Sequence, residues 1–466
     1  MSEFQLLAVT GNPVLHSKSP GMFNNTFSKT DFPATYTRLA ADSAQEAIKV
    51  FRSLGLKGMN VTAPFKEDIM QCVDTVDSVA ALIGGVNTVV DYHGLLTGYN
   101  TDYFGVLNSI IEHISKLNLK TTDFYGRNCV VIGASGAGKA AAYALINHLK
   151  TNVTIINRTI DKAKDAAEKF GCNYSSFEML SEIIPQTDII ILALSQNVNP
   201  IDSSWLNENH IVFDANYKSS KFIEMADIKG CSIIDASDWL LHQGISAYFR
   251  FFDKYPDDVA MKAGLSTYNL KSRGDKIALI GFMGSGKTTV GKKLSKKMAI
   301  PFVDTDEMIV EREGKSIPEI FEQNGEAYFR NCEKEILQTI INTPGKQIIS
   351  CGGGMAINDA NRSLLKEHCL VLWLYATPEA TVKRINLESR PLLNVENPLE
   401  KAIKLFGERK PFYAKASDVI FNTEKFDAES ISDKIIDEIN RILLDQSPNP
   451  LRQEGLNSQR HYRNDL

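Results

Sequence analysis

The sequence predicts an α/β protein with mostly parallel sheets, divided into more than one domain. Three observations carry this. Short continuous apolar runs alternate with amphipathic stretches along almost the whole chain, the pattern of strands covered on both faces by helices. The 466 residues exceed what one ordinary core holds. Hydrophobic residues make up 43% and charged residues 23%, a globular balance that argues against a disordered, fibrous or membrane chain.

The buried-strand runs, in order, are "NCVVIG", "NVTIIN", "DIIILAL", "HIVFDA", "KIALIG", "QIISCGG" and "CLVLWLY". Amphipathic helices are expected over "SAQEAIKVFRSLG", "KAAAYALINHLK" and "TIDKAKDAAEKFG". Residues 263–275, "AGLSTYNLKSRGD", are polar and weakly periodic and read as a linker between two independent enzymes. Residues 446–466 lack apolar periodicity and read as a disordered tail. The expected organisation is a lobe over 1–105 completed by 240–262, a dinucleotide-type lobe over 106–239, the linker, and a third domain over 276–445.

Charge and cysteines narrow the setting. A net charge of -5 gives no bulk attraction to nucleic acid or anionic lipid, so no such partner is expected and any anion site has to be local. The seven cysteines are scattered, without a CxxC pair or metal spacing, which points to a reduced, cytoplasmic protein. The opening "MSEFQLLAVTGNPVLHS" has no basic n-region, and no run is long enough to span a bilayer. Neither a signal peptide nor a membrane anchor is expected.

Two glycine loops carry the chemistry. "GFMGSGKTT" follows the strand run "KIALI" and precedes a helical run, and Gly281, Gly286, Lys287 and Thr288 fit G-x-x-x-x-G-K-[ST] in its strand–loop–helix context. Gly284, Ser285, Gly286 and Thr289 complete the backbone cradle at a helix N-terminus. Lys287 reaches the β/γ-phosphates of ATP, and the Thr288 hydroxyl ligates Mg²⁺. Beyond it, "FVDTDEM" places Asp304 and Asp306 on one side of a strand end, suited to Mg²⁺ and to a substrate hydroxyl. "SCGGGM" puts Gly352, Gly353 and Gly354 after another strand, and Arg330, Arg390 and Arg409 offer forks for carboxylate and phosphoryl oxygens.

The other loop, "GASGAGKAA", has Ala140 where a P-loop needs a hydroxyl. It joins one strand run to a helix, and the next strand run ends in Asn157, Arg158 and Thr159, which makes a βαβ unit of dinucleotide type. Gly133, Ser135, Gly136 and Ala137 form its turn, with Ser135 where the fingerprint has its second glycine. Arginine at the end of the second strand favours the 2′-phosphate of NADP. The two loops therefore hold different ligands.

The motifs of the second half closely resemble shikimate kinase, from Lys276 to about Leu444. The resemblance implies that Asp306 holds and activates the substrate hydroxyl and that Asp304 helps place Mg²⁺. Arg330, Arg409 and Gly352–Gly354 then grip shikimate, and Arg390 rides a mobile lid. Arg384 or Lys383 stacks on adenine. In the first half, "GNPVLHSKSP" with Ser17 and Ser19, "GMNVTAPFK" with Thr62 and Lys66, "GGVNTV" with Asn87 and "GYNTDYFG" with Asp102 resemble shikimate dehydrogenase in order, over Phe4 to about Ala263.

That resemblance implies that Lys66 and Asp102 are the catalytic pair, with Lys66 the proton donor. Ser17, Ser19 and Tyr217 bind the substrate carboxylate, and Thr62, Asn87 and Gln243 read the ring hydroxyls. Three departures touch the cofactor side: Ser135, Asp238 where relatives carry glycine, and the run "ILALSQNVNPI". They motivate a second reading, in which the first half is a weak or inactive shikimate-binding module regulating the kinase. A third reading is a preference for quinate or NAD.

The fold expected is a two-lobed dehydrogenase, with a substrate domain and a Rossmann-type NADP domain, followed by a P-loop kinase with a parallel sheet. The expected activity is NADPH-dependent reduction of 3-dehydroshikimate to shikimate, then Mg·ATP-dependent phosphorylation to shikimate 3-phosphate, within aromatic amino-acid biosynthesis. Tethering consecutive steps raises the further expectation that shikimate passes between the sites.

Overall fold

A computed structural model describes residues 4–194, 198–216, 220–267, 270, 273–387, 392–424 and 427–444. Tyr217, Arg390 and the expected tail over 446–466 lie outside the described residues. Seventeen strands are assigned among the described residues. The first lobe contributes β1 (Gln5–Gly11), β2 (Ala34–Ala40), β3 (Gly58–Val61), β4 (Thr75–Val76), β5 (Thr88–Tyr92) and β6 (Leu95–Tyr99). The next holds β7 (Asn128–Ile132), β8 (Asn152–Ile156), β9 (Asn173–Ser175), β10 (Ile189–Leu192), β11 (Ile211–Asp214) and β12 (Ser232–Ile234). The last holds β13 (Lys276–Ile280), β14 (Phe302–Asp304), β15 (Gln347–Ser350), β16 (Leu370–Tyr375) and β17 (Val419–Asn422).

The middle lobe is a six-stranded parallel sheet in the order β12-β11-β10-β7-β8-β9. Its central strands β7, β8, β10 and β11 are mainly apolar because helices cover both faces, while the edge strand β9 is polar and largely exposed. Two separate cores, one on each side, confirm the layering. Every strand run and helix read from the sequence in this lobe is present.

The first and last lobes are not independent, contrary to the sequence reading. They share one eleven-stranded sheet, β14-β15-β13-β16-β17-β2-β1-β3-β5-β6-β4. The seam is β17 against β2, parallel, with Ile420 opposite Leu39 and Phe421 opposite Ala40. Side chains alternate between faces with period two, and the alternation continues across the seam. Leu6, Ala8, Ala278, Ile280, Val371, Trp373 and Ile420 enter one core, while Leu7, Val9, Ile277, Leu279, Leu370, Leu372 and Phe421 enter the other. Each core therefore draws on both halves of the chain.

The expected linker is also corrected. The helix Asp258–Thr267 takes in its first five residues, because Gly264 lets that helix close onto Gly21 in the helix Ser19–Lys29. Residues 268, 269, 271 and 272 lie outside the described residues. Arg273, which follows, is buried and bonds the Asp418 carboxylate at 2.8 Å. Among the described residues no helix is long and apolar enough to cross a membrane.

Candidate active sites

The first site stands where β1, β3 and β6 deliver their C-terminal ends. The turn after β3 presents Thr62 and Lys66, and the helix Asp102–Lys116 begins directly after β6. Lys66 Nζ lies 2.6 Å from Asp102 Oδ2. Asn87 Nδ2 donates to the other oxygen, Oδ1, at 2.9 Å, and Asp102 is itself buried. Asn87 is fixed in turn by Thr101, whose backbone N–H donates to its Oδ1 at 2.7 Å. A carboxylate tied this way holds the ammonium in one place, which an exposed ion pair does not.

A cavity of about 210 Å³ brings Ser17, Ser19, Thr62, Lys66, Asn87, Asp102 and Gln243 together. Ser17 and Ser19 stand at the start of the helix Ser19–Lys29, with their hydroxyls 3.4 Å apart. Asn60 also lines the cavity, held by the Tyr36 hydroxyl at 2.7 Å. Burial pushes the Tyr36 phenol well above its usual range, so it stays a neutral donor. Sequence reasoning missed Asn60; a lone asparagine inside an apolar strand was the available signal.

The cofactor-type loop closes this cavity from the other lobe. Ala137 lines it, and Gly136 opens the helix Gly136–Asn147 beside the Lys66 side chain. A second cleft of about 480 Å³ runs away from it, lined by Ala134, Ser135, Lys139, Asn157, Arg158, Thr159 and Lys162. Lys139 bridges back to Glu67 at 3.6 Å. Four cations, Lys139, Arg158, Lys162 and Lys169, outnumber the lining carboxylates of Glu67 and Asp165 and, with the hydroxyl and amide set, fit a dinucleotide carrying an extra phosphate. Lys139 and Lys162 were not singled out from the sequence, although Lys139 stands inside the loop motif.

The departures acquire physical reasons here. Ser135 has extended backbone, so glycine is not required for its conformation, and its Oγ caps the helix and donates to the Ala193 carbonyl at 3.2 Å. The close approach falls on Gly138 instead, where a Cβ would overlap the Gly133 carbonyl. Asp238 pairs with Lys262 at 3.4 Å. The third departure falls partly on residues 195–197, outside the described residues.

The second site follows β13. The glycine loop leads into the helix Lys287–Met298, with Thr289 exposed on its first turn. Ser285 Oγ, deep in the loop, is buried without a hydrogen-bond partner among the described residues, which suits a cradle for phosphate oxygens. Lys287 Nζ spans the loop, donating to the carbonyls of Gly281 and Phe282 at 2.9 and 3.1 Å. Thr288 Oγ1 donates to Asp304 Oδ2 at 2.8 Å. One hydroxyl and one carboxylate, with room left for phosphate and water, fit Mg²⁺. Asp304 also caps the next helix by accepting from the Asp306 N–H at 3.0 Å, which turns Asp306 toward the neighbouring pocket.

That pocket, about 120 Å³, is lined by Asp306, Phe321, Phe329, Arg330, Glu333, Gly353, Gly354 and Arg409. Arg330 Nη1 donates to the buried Glu333 carboxylate at 2.7 Å. Burial pushes the Glu333 carboxyl up, and Arg330 opposes that shift. Arg409, buried, donates to the Gly353 carbonyl at 3.3 Å, and the Tyr413 hydroxyl reaches the same oxygen at 2.5 Å. A Cβ on Gly352 would stand 2.5 Å from Asp306 Oδ1, and one on Gly354 would overlap the Arg330 guanidinium. Glu333, Phe321 and Phe329 were not predicted. Arg384 and Lys383 are both exposed, and Arg384 is anchored by the carbonyls of Thr423 and Glu424 at 2.8 and 3.0 Å.

Comparison with known proteins divides the chain in the same way. Residues 9–89 match the family model "Shikimate dehydrogenase substrate binding domain", 115–228 match "Shikimate / quinate 5-dehydrogenase", and 283–440 match "Shikimate kinase". A shikimate dehydrogenase (NADP(+)) of Caldanaerobacter subterraneus subsp. tengcongensis is 36% identical over 54% of this chain and 95% of its own length. A shikimate kinase of Dehalococcoides mccartyi is 41% identical over 36% of this chain and 94% of its own. The crystal structure of shikimate dehydrogenase from Aquifex aeolicus superposes with a TM-score of 0.53 at 30% identity, covering 57% of this chain and all of that one. The chain therefore belongs to the shikimate dehydrogenase family through its first half and to the shikimate kinase family through its second.

Proposed function

We propose that this bifunctional enzyme reduces 3-dehydroshikimate to shikimate in its first site and phosphorylates shikimate in its second. The carrying observation is the Lys66–Asp102 pair at 2.6 Å, in a cavity that the cofactor loop closes at Gly136 and Ala137. Ser135, Lys139, Asn157, Arg158 and Thr159 line the cleft that would hold NADPH, which would supply a hydride for the ketone carbon. Lys66 gives its proton to the developing alkoxide, and Asp102 holds its Nζ in place. Ser17 and Ser19 take the substrate carboxylate, and Thr62, Asn87 and Gln243 take the ring hydroxyls. Arg158 selects the 2′-phosphate.

In the second site Asp306 accepts the proton of the shikimate hydroxyl as its oxygen attacks the γ-phosphorus of ATP, and ADP leaves. Arg330 and Arg409 hold the carboxylate and ring, and Lys287 follows the charge on the transferred group. Thr288 and Asp304 would hold Mg²⁺, which would neutralise phosphate charge. Arg384, anchored beside the loop, is the better placed of the two candidates for adenine. The intact Lys66–Asp102 geometry supports an active dehydrogenase over a regulatory module, and the seven unpaired thiols accord with a cytoplasmic setting.

The test is NADPH oxidation on addition of 3-dehydroshikimate. Lys66→Ala is expected to lower kcat about 100- to 10,000-fold, the range for losing a general acid, with phosphorylation of added shikimate retained. Oxidation unchanged in Lys66→Ala would overturn the assignment.

A further inference from the structure

The dehydrogenase's serine loop is held by the kinase half. The loop runs from the end of β1 to the helix Ser19–Lys29 and carries Ser17 and Ser19. The last kinase helix, Ala428–Leu444, brings Glu438 beneath it. The Val14 N–H donates to both Glu438 oxygens at 3.0 and 3.1 Å, and the Leu15 N–H donates to Oε2 at 2.9 Å. All three residues are buried, at 0, 1 and 4% exposure, so these N–H groups have no water to turn to.

The grip passes directly to the serine. The Ser17 N–H donates to the Val14 carbonyl at 3.0 Å, so Val14 is bonded to Glu438 on one side and to Ser17 on the other. The Ser17 carbonyl accepts from Arg38 Nη2 at 2.5 Å, and Arg38 Nη1 donates at 3.1 Å to the carbonyl of Asp418, a kinase residue beside the seam. Arg38 is itself buried. Ser17 is thus fixed through its N–H and its carbonyl, each by a chain of bonds ending in the kinase half. The dehydrogenase family models match residues 9–89 and 115–228, and the helix carrying Glu438 lies outside both.

We infer that Glu438 is a positioning residue for the dehydrogenase: a kinase side chain that sets the loop binding the substrate carboxylate. Glu438 lines neither the substrate cavity nor the cofactor cleft. Its loss leaves two buried N–H groups unsatisfied and frees the loop, so the effect falls on shikimate affinity rather than on hydride transfer. The inference rests on the dehydrogenase assignment of Ser17 and Ser19.

The experiment follows NADP⁺ reduction by shikimate in the full chain, with kinase activity measured on the same samples. Glu438→Ala is expected to raise KM for shikimate in the dehydrogenase about tenfold. KM for NADP⁺, kcat and the kinase rate should stay within about twofold. Glu438→Gln, which keeps one acceptor oxygen, should fall between wild type and alanine. An unchanged KM for shikimate overturns the inference, and so does a parallel loss of all these parameters in the glutamine variant, which is the signature of general destabilisation. If the alanine variant fails to fold, the glutamine variant alone decides, by a rise of about threefold or none. A wild-type chain that does not reduce NADP⁺ contradicts the dehydrogenase reading instead.

Discussion

Gly352 and Gly354 are small because of what stands over them. The loop gives up two side chains so that Asp306 and the Arg330–Glu333 pair can close over the kinase pocket. The glycine run and the aspartates were legible because they follow strand runs at fixed offsets. Glu333 was not, since a glutamate three residues after an arginine on a helix reads as a solvated ion pair; only the fold shows it buried. Gly354→Ala is predicted to displace Arg330 and raise the kinase KM for shikimate about 10- to 100-fold, the worth of about 1.5–3 kcal/mol for a charged hydrogen bond. Steady-state phosphorylation kinetics check this, and dehydrogenase rates should not change.

At the scale of elements, the two glycine loops use one device for different ends. Each joins a parallel strand to a helix N-terminus, but one ends in Thr288 beside Asp304 and the other lies against a cleft of arginine and lysines. The fingerprint drew attention to Ser135, whereas the helix Gly136–Asn147 packs onto the loop through Gly138. Gly138→Ala is predicted to push that helix off β7, costing about 1–3 kcal/mol as overpacking does. The expected result is a lower Tm and a raised KM for NADPH, with KM for 3-dehydroshikimate within about twofold.

The strands β7, β8, β10 and β11 of the middle lobe and β13, β15 and β16 of the kinase were readable as apolar runs, whereas β9, β12 and β17 were not. Those of the first lobe were not named, because β2 carries Thr35, Thr37 and Arg38 and β3 carries Asn60 in buried positions. Thr37, Arg38 and Asn60 each bond a distant part of the chain, as in the bonds from Thr37 to Ser417, from Arg38 to Asp418 and from Asn60 to Thr88. Polar residues whose partners lie far off in sequence break the pattern that marks a buried strand.

At the scale of the molecule, the two enzymes are built on one sheet. From β13 through β16, β17 and β2 to β1 every neighbouring pair is parallel, so the loops after β13 and β1 emerge at the same edge. Four strand spacings of about 4.8 Å set those strand ends about 19 Å apart. No local pattern announces such a seam, since its bonds join residues hundreds of positions apart, as Glu438 joins Val14. The sequence read as two enzymes on a string; the fold makes them two ends of one scaffold.

The central claim is that one chain performs both steps with separate residues. The direct measurement supplies the purified chain with 3-dehydroshikimate, NADPH and Mg·ATP and follows NADPH together with the formation of shikimate 3-phosphate. The wild-type chain is predicted to consume NADPH and release the phosphorylated product. Asp306→Asn is predicted to consume NADPH at the same initial rate and stop at shikimate. No NADPH consumption by a chain that still phosphorylates added shikimate would contradict the account, as would phosphorylated product from Asp306→Asn at the wild-type rate.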